Sequence, residues 1–248
     1  MGVSAWTLRA LRPHLRRFDV QISRWSRSYE YQRIRYLRDL GVDALVDVGA
    51  NEGQYGVEVR DHGFSGRLLS IEPQAQAYVR LAHRAAQDPL WDCLQCGLGA
   101  EGGETELRLS ANSVSSSILP ILDSHVEAEP ESRYRGVEKI AIRTLDSVVA
   151  EWGARGSRIG LKLDVQGFEA EVLRGAADTL PNVSFLECEL SLKPLYEGQV
   201  LYDEMIQHLG DVGFSLANVC REFSDPKTGR VLQLDGVFLR DEGRSDEP

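Results

Sequence analysis

Residues 46–53 read Val46-Asp47-Val48-Gly49-Ala50-Asn51-Glu52-Gly53, an apolar run that leads into a turn bracketed by two glycines. The run starts at Ala44, and its β-branched, mostly apolar composition is typical of a central parallel strand buried on both faces. Glycine has no Cβ, so a turn with glycine at positions 49 and 53 can adopt positive φ and lets a ligand approach the bare backbone. The next segment, 54–61, predicts a helix whose free N–H groups face the same place.

A second strand leads to the same place. Residues 67–71 are mostly apolar and are followed by Glu72-Pro73. The proline ends the strand and leaves Glu72 at its carboxyl end, beside the glycine turn. A carboxylate there can accept hydrogen bonds from both hydroxyls of a ribose. The two segments together predict a pocket for a nucleoside-bearing cofactor.

The glycine spacing distinguishes two cofactor classes. A dinucleotide site uses G-x-G-x-x-G, whose second glycine lets the backbone approach a pyrophosphate. Here Gly49 and Gly53 are separated by three residues, and Asp47 precedes them. This pattern resembles the D-x-G-x-x-x-G motif of S-adenosylmethionine (SAM) methyltransferases, and an acid at position 47 would be unfavourable beside a diphosphate. The structural alternative is a tight strand-to-helix turn without a ligand.

Helices and strands continue to alternate beyond position 72. Thr144 can cap a helix that runs through Trp152, and the turn at 225–230 predicts an antiparallel hairpin at the end of the chain. We therefore predict an α/β, Rossmann-like fold of the methyltransferase type: a seven-stranded, mostly parallel sheet with an antiparallel last strand and helices on both faces. The further predicted strands are 90–96, 105–109, 137–142, 159–165, 183–189, 214–219 and 233–239, and the further helices are 74–84, 168–173 and 202–209.

Polar side chains lie at the ends of two later strands. Alternation along 159–165 places Lys162 and Asp164 on one face, and Gln166 follows at the carboxyl end. Strand 183–189 points Glu187 and Glu189 the same way. Ligands of open parallel sheets bind beyond the carboxyl ends of the strands, so these groups should lie near the glycine turn. The structural alternative for Asp164 is that it caps the following helix.

Residues 111–136 have little periodicity and are rich in serine, including Ser115, Ser116 and Ser117. A loop of this length in a compact domain is usually functional or mobile. We expect this loop to close over the substrate that accepts the methyl group. The alternative is a mobile surface loop.

The composition fits one domain that is flanked by two segments of different polarity. The chain has 248 residues, 42% of them hydrophobic, and its four cysteines are too few for a disulfide scaffold. We expect the catalytic domain to span 41–240, with a polar tail at 241–248. No apolar run is long enough to span a membrane and residues 1–17 lack the apolar core of a secretory signal, so we expect a cytoplasmic protein with reduced cysteines. The histidines are expected to be exposed or hydrogen-bonded.

The first forty residues differ in charge from the remainder. They contain nine arginines against three acids, a balance of +6, whereas the net charge of the whole chain is −10, so the other 208 residues carry −16. Apolar residues recur there at spacings of three and four from Leu8 to Tyr29, which predicts an amphipathic helix broken or kinked at Pro13. The helix could be a lid or a dimer arm. Alternatively, residues 1–28 could touch anionic lipid, which would make the protein membrane-peripheral. The acidic main body argues against nucleic acid as a partner, and the oligomeric state stays open.

Three separated blocks resemble the FkbM family of SAM-dependent methyltransferases, and the resemblance spans roughly residues 40–240. A smaller signature, Thr144-Leu145-Asp146, lies between them. Gln166 departs from the pattern because glutamate often occupies that place in relatives, which argues against this side chain as a base. The blocks are residues 46–55; Leu161-Lys162-Leu163-Asp164-Val165-Gln166-Gly167-Phe168-Glu169 with Leu173-Arg174-Gly175-Ala176; and Glu189-Leu190-Ser191 with Pro194-Leu195-Tyr196-Glu197-Gly198-Gln199.

The resemblance implies methyl transfer from SAM to an oxygen, commonly a hydroxyl of a sugar, glycolipid or polyketide, so the expected partner is a small-molecule or lipid-linked hydroxylated acceptor. The glycine turn is expected to hold the methionine part of SAM, Glu72 the ribose, and residues around Cys96 the adenine edge. The full set expected at the cofactor is Asp47, Gly49, Asn51, Gly53, Tyr55, Glu72, Pro73 and Gly97.

Asp164, and after it Glu189, are the expected catalytic residues, because an aliphatic hydroxyl must lose its proton to a base during or after attack. Ser116, Ser117 and Gln166 are expected at the acceptor. A divalent cation shared by the two carboxylates is a further hypothesis, since oxygen ligands on neighbouring strand ends suit magnesium.

Three other functions fit parts of the sequence. The fold could bind SAM without catalysing a reaction, because binding and chemistry are separable. A nicotinamide-dependent oxidoreductase is disfavoured by the missing middle glycine. A lipid-surface scaffold built on the N-terminal helix could coexist with catalysis.

Overall fold

Strands and helices alternate along the chain in a computed structural model that describes residues 24–241 together with Phe18. Three short 3₁₀ turns accompany them, at Trp25–Arg27, Pro130–Ser132 and Leu180–Asn182. The helices are α1 (Tyr29–Asp39), α2 (Gln54–Asp61), α3 (Ala75–Ala85), α4 (Asp123–Ala128), α5 (Leu145–Trp152), α6 (Glu169–Arg174) and α7 (Tyr202–Asp211). The strands are β1 (Ala44–Val48), β2 (Arg67–Ile71), β3 (Trp91–Leu94), β4 (Gly97–Leu98), β5 (Gly103–Ser110), β6 (Tyr134–Arg143), β7 (Ile159–Leu163), β8 (Val183–Ser191), β9 (Phe214–Ser224) and β10 (Val231–Arg240).

Seven strands form the main sheet in the order β3-β2-β1-β7-β8-β10-β9. Only β10 runs antiparallel to its neighbours, so the predicted mostly parallel sheet with a reversed last strand is confirmed. In the register, Val48 of β1 pairs with both Ile71 of β2 and Leu163 of β7. The carboxyl ends of these three strands therefore lie side by side at one edge of the sheet.

The burial of its residues explains why β1 is an interior strand of the main sheet. All five of its residues are buried, and its four apolar side chains alternate between two hydrophobic clusters. Ala44, Val46 and Val48 pack with α5, α6 and α7 on one face, whereas Leu45 packs with α1, α2 and α3 on the other. An apolar run without polar alternation thus serves a strand that is covered by helices on both sides.

A second, three-stranded sheet with the order β4-β6-β5 lies beside the main one. The predicted strands 105–109 and 137–142 are its antiparallel pair, and both are longer than predicted. The prediction of a continuous loop over 111–136 is wrong in part, because α4, the turn Pro130–Ser132 and the start of β6 lie inside it. These pieces are too short to show a helical or alternating period in the sequence.

Polar contacts centred on Glu187 join helix α1 to the sheet, in addition to its apolar packing. The Arg33 guanidinium is 2.9 Å from Oε1 of Glu187 on β8 and 3.0 Å from Oε1 of Glu58 on α2. The hydroxyls of Tyr29 and Tyr55 also donate to Glu187, at 2.9 and 2.8 Å. Of the predicted N-terminal stripe, the part before residue 24 lies outside the described residues, apart from Phe18. Within the described part of the chain, no helix is long and apolar enough to cross a membrane.

Candidate active site

The glycine turn brings two strand ends into close contact. Gly49 has φ +79°, and its N–H and that of Ala50 donate to the carbonyl of Ile71, both at 3.0 Å. A Cβ placed on Gly49 would lie 1.8 Å from the backbone oxygen of Asp164, at the end of β7. Position 49 therefore requires glycine both for its left-handed backbone and for the contact with β7.

Glu72 is fixed beside this turn by backbone hydrogen bonds. Its Oε2 accepts from the N–H of Asn51 and its Oε1 from that of Gln74, each at 2.8 Å. Burial raises the pKa of Glu72 to about 7, although the two backbone donors oppose the shift. Each carboxylate oxygen has a second lone pair, so the group can still accept hydrogen bonds from a ligand.

A pocket of about 670 Å³ opens next to Glu72. Small-molecule sites are mostly apolar with a few placed polar groups, and the lining of this pocket has that character. Its polar members include Glu72, Asn51 and Asp164, together with the backbone of Gly49 and Gly97. Its apolar members are Val48, Ile71, Pro73, Cys96, Leu98, Leu107, Val114, Ile118, Val165 and Phe168.

Asp47 lies beneath the turn and has no exposed surface. Its Oδ2 accepts from the Ser70 hydroxyl at 3.2 Å, and its Oδ1 is 3.4 Å from Nζ of Lys162. Burial raises the pKa of Asp47, whereas Lys162 and Ser70 oppose the shift. Lys162 in turn lies 3.2 Å from Oδ2 of Asp164. Burial disfavours the Lys162 charge, but the two carboxylates hold its pKa above the usual value.

Gln166 connects the two carboxylates expected to be catalytic. Its Nε2 is 2.7 Å from Oδ1 of Asp164 and 3.2 Å from Oε2 of Glu189. Burial, with Asp164 and other nearby acids, raises the pKa of Glu189 well above its usual range. Asp164 does not cap α6; instead, Oε1 of Glu169 accepts from the N–H groups of Val165 and Gly167.

The serine-rich segment covers the edge of the pocket. Ser113, at φ +61°, accepts a hydrogen bond of 3.3 Å from the Asn51 side chain. The next residue, Val114, is 53% exposed and lines both this pocket and a second, larger space that adjoins it. Ser116 lines the first pocket, whereas Ser117 is buried and donates at 2.7 Å to the backbone oxygen of Gln166.

A larger, more polar basin of about 1430 Å³ adjoins the first pocket. Five residues line both spaces, so they form a common boundary: Gly49, Asn51, Val114, Asp164 and Gln166. Eight acids line the basin, namely Glu30, Glu58, Glu129, Asp164, Glu187, Glu189, Glu222 and Asp235. They outnumber its two permanent cations, Arg33 and Lys162, both of which are engaged by carboxylates.

His125 in this basin departs from the expectation that each histidine is exposed or hydrogen-bonded. Its side chain is buried between Tyr196 and Phe223, and its Nδ1 has no hydrogen-bond partner among the described residues. Burial lowers the pKa of His125 to about 4, so the imidazole is neutral near pH 7.

The structure brings together most, but not all, of the residues expected at the cofactor. The first pocket contains Gly49, Asn51, Glu72, Pro73 and Gly97. Tyr55 lines the basin instead, while Asp47 and Gly53 line neither space and support the turn from behind. Among the expected catalytic and acceptor residues, Asp164 and Gln166 lie on the common boundary, Glu189 in the basin, Ser116 in the first pocket and Ser117 behind it.

Sequence reasoning missed the basin walls supplied by α1 and by the β9–β10 hairpin. One signal was present: Asp235 places an acid inside a mostly apolar strand, and in the register it pairs with Glu189. Within the described part of the chain, no group of three or more His, Cys, Asp or Glu side chains is arranged to hold a metal ion. The amide of Gln166 also lies between Asp164 and Glu189, so a cation shared by them would bind only after that amide moved.

Comparisons with known proteins find similarity to methyltransferases. Residues 47–216 match the family model of the FkbM methyltransferase domain. The 2-O-methyltransferase NoeI of Sinorhizobium fredii is 24% identical over 77% of this chain and 81% of its own. Methyltransferase sdnD of Sordaria araneosa is 28% identical over 53% of this chain and 59% of its own, so the match spans less than two thirds of that relative. The crystal structure of methyltransferase FkbM from Methylobacillus flagellatus aligns with a TM-score of 0.46 at 14% identity, over 79% of this chain and 43% of that one.

Proposed function

The chain belongs to the FkbM methyltransferase family, and we propose that it transfers the methyl group of SAM to a hydroxyl of a sugar, glycolipid or polyketide-type acceptor. One observation carries this proposal: an apolar pocket and a polar basin meet at a boundary that contains Asp164 and Gln166. A donor in the first space and an acceptor in the second would meet there. The name of the relative NoeI, a 2-O-methyltransferase, supports oxygen as the acceptor atom.

The first pocket fits the parts of SAM. Glu72 would accept hydrogen bonds from the ribose hydroxyls through its free lone pairs. The apolar side chains of Leu98 and Phe168, near the backbone of Gly97, suit the flat adenine. The turn at Gly49 and Asn51 would hold the methionine part, which places the sulfonium at the boundary with the basin.

The residues at the boundary would position the acceptor and take its proton. Bound SAM would supply an electrophilic methyl group for the acceptor oxygen and would leave as SAH when its bond from the methyl carbon to sulfur breaks. Alignment of the reacting atoms by the pocket walls can contribute ~7–11 kcal/mol. Asp164 would accept the hydroxyl proton, and Glu189 would orient the acceptor through a hydrogen bond. The many oxygen atoms of the basin suit a polyhydroxylated acceptor, while its excess of acids disfavours an anionic one.

We expect Glu72→Ala to raise the dissociation constant of SAM and of S-adenosylhomocysteine (SAH) by about tenfold or more, because charge-assisted hydrogen bonds worth ~1.5–3 kcal/mol are lost. The ionised carboxylate is the acceptor, and the pKa of Glu72 is raised to about 7. SAH affinity should therefore increase from about pH 6 to about pH 8 in the natural protein, and Glu72→Gln should lose this dependence. Calorimetric titration with SAH measures both effects.

The matched control is Glu52→Gln, which removes a carboxylate next to the same turn. Glu52 pairs with Arg80 and lines neither the pocket nor the basin. Unchanged SAH affinity in Glu72→Ala would show that the ribose lies elsewhere.

Titration of the natural protein with SAM, SAH and NAD in parallel tests the donor itself. Saturable binding of the two sulfur compounds and not of NAD is expected. Binding without SAH formation across a panel of hydroxylated acceptors would favour the alternative function, a non-catalytic SAM-binding protein.

We also propose peripheral contact with anionic lipid through residues 1–28. Phe18 is 77% and Trp25 51% exposed, and Arg24 and Arg27 lie beside Trp25. Exposed aromatics next to arginines suit a lipid–water interface. Deletion of residues 1–28 should abolish co-sedimentation with vesicles rich in phosphatidylserine and leave SAM affinity unchanged, because the anchor through Arg33 is retained. Equal sedimentation of both forms would contradict the proposal.

A further inference from the structure

The side-chain amide of Gln166 has a position that substrate binding alone does not explain. Nε2 carries two hydrogens, and the carboxylates of Asp164 and Glu189 both lie within hydrogen-bond distance of it, at 2.7 Å and at 3.2 to 3.3 Å. One hydrogen can therefore serve each carboxylate. The amide joins the end of β7 to β8, directly at the boundary between the pocket and the basin.

Two hydrogen bonds hold Gln166 in place, one at its side-chain amide and one at its backbone. The buried Tyr196 hydroxyl donates to Oε1 of Gln166 at 2.7 Å, which directs the opposite end of the amide, Nε2, toward the carboxylates. Ser117 donates to the backbone oxygen of Gln166 at 2.7 Å. The backbone of Gln166 is itself left-handed, at φ +54°, a conformation that is strained for a residue with a side chain. Strain that is maintained by surrounding hydrogen bonds is typical of functional sites.

The surroundings are strongly acidic. Glu189 faces Asp164 at the end of β7, Glu169 on α6 and Asp235 on β10, and Lys162 on β7 is the cation that opposes them. Glu222 on β9 faces Asp235. Burial and these acids together raise the pKa of Glu189. An uncharged donor between Asp164 and Glu189 stabilises both carboxyl groups without adding another charge. A glutamate at position 166 would add a further negative charge.

We propose that Gln166 is a positioning residue, which holds Asp164 and Glu189 as one hydrogen-bonded pair facing the reacting atoms. This inference rests on the proposed function, since it assumes that the sulfonium lies at the boundary. The bound acceptor then meets two carboxyl groups at a fixed separation, and Tyr196 and Ser117 act through Gln166 rather than on the acceptor.

SAM and SAH provide a test that needs no acceptor. They differ by the methyl group and positive charge of the sulfonium, so effects of Glu72 on the ribose cancel between them. In Gln166→Glu three carboxyl groups meet and retain a proton near neutral pH, and a sulfonium placed beside them would displace it. We expect SAM binding by this variant to release about one more proton than SAH binding, a larger difference than in the natural protein. Calorimetry in two buffers of different ionisation enthalpy counts these protons.

Two further variants complete the test. Gln166→Met removes both N–H donors at similar side-chain volume. It should also increase the difference in protons released between SAM and SAH binding, but by less than Gln166→Glu. This variant replaces Gln166→Glu in the test if Gln166→Glu does not fold. Gln207→Glu adds the same charge on the exposed side of α7 and should leave the difference unchanged. If both Gln166 variants bind SAM and SAH with the natural proton difference, Gln166 is only structural and the inference is wrong. If the natural protein binds neither SAM nor SAH, the proposed function itself is wrong, and the inference that rests on it falls with it.

Discussion

Gly49→Ala should lower the affinity for SAM and SAH by about tenfold or more, because the turn beside Glu72 is displaced and charge-assisted hydrogen bonds worth ~1.5–3 kcal/mol are disturbed. The new Cβ would lie 1.8 Å from the backbone oxygen of Asp164, so the ends of β1 and β7 must separate by about an ångström. That movement displaces the N–H of Asn51 from Glu72 and Asp164 from the boundary. The left-handed backbone adds about 1–2 kcal/mol of strain for any residue with a Cβ.

Gly153→Ala separates these two causes. Gly153 ends α5 with φ +73°, close to that of Gly49, but a Cβ there would meet nothing within 4 Å. This variant should lose only about 1–2 kcal/mol of stability and bind SAH normally. Calorimetric titration and chemical unfolding of both variants measure the two effects. Equal behaviour of the two alanine variants would show that the contact between β1 and β7 is unimportant for the cofactor.

Arg33→Ala should lower the free energy of unfolding by about 3–5 kcal/mol, the usual effect of removing one partner from a buried ion pair. The side chains of Arg33 and Glu187 are 7% and 4% exposed, so Glu187 would be left as a buried charge with only two tyrosine hydroxyls as donors. Stacking of the guanidinium on Tyr29 and Tyr55 would be lost as well. Since whole domains are stable by only ~5–15 kcal/mol, urea unfolding should show a large shift of the midpoint.

The neighbouring Arg35→Ala is the matched control. Arg35 lies on the same helix, is 42% exposed and faces Asp39 at 3.9 Å, so its removal should change stability by less than about 1 kcal/mol. Combining Arg33→Met with Glu187→Gln removes both charges and should recover part of the lost stability. A loss for Arg33→Ala no larger than that for Arg35→Ala would show that α1 is held by its apolar contacts alone.

Local patterns in the sequence predict the glycine turn and its neighbouring strand ends well. Helix α2 begins and ends where predicted, because Gly53 and the following amphipathic turns mark it clearly. Thr144 caps α5 through the N–H of Ser147, as expected. Gly49, Asn51 and Glu72 converge because they follow strands that are adjacent in a parallel sheet, a relation that sequence order and spacing encode.

The basin depends on contacts between residues far apart in the chain, which local patterns do not encode. Arg33 and Glu187 are 154 positions apart, and Gln166 and Tyr196 are 30 apart. The burial of His125 depends on Tyr196 and Phe223, which lie on two other segments. Hydrophobic periodicity predicts which face of each element is buried, but the pairing of polar groups at the ends of the sheet follows from tertiary packing.

The family match covers residues 47–216, and every residue that lines the first pocket lies inside it. The basin, by contrast, takes Tyr29, Glu30 and Arg33 from before the match, and five residues between Cys220 and Asp235 from after it. The basin walls outside the match can therefore differ between relatives while residues 47–216 keep the family pattern. On the proposed function, exchange of α1 and the β9–β10 hairpin between homologues is expected to change acceptor preference.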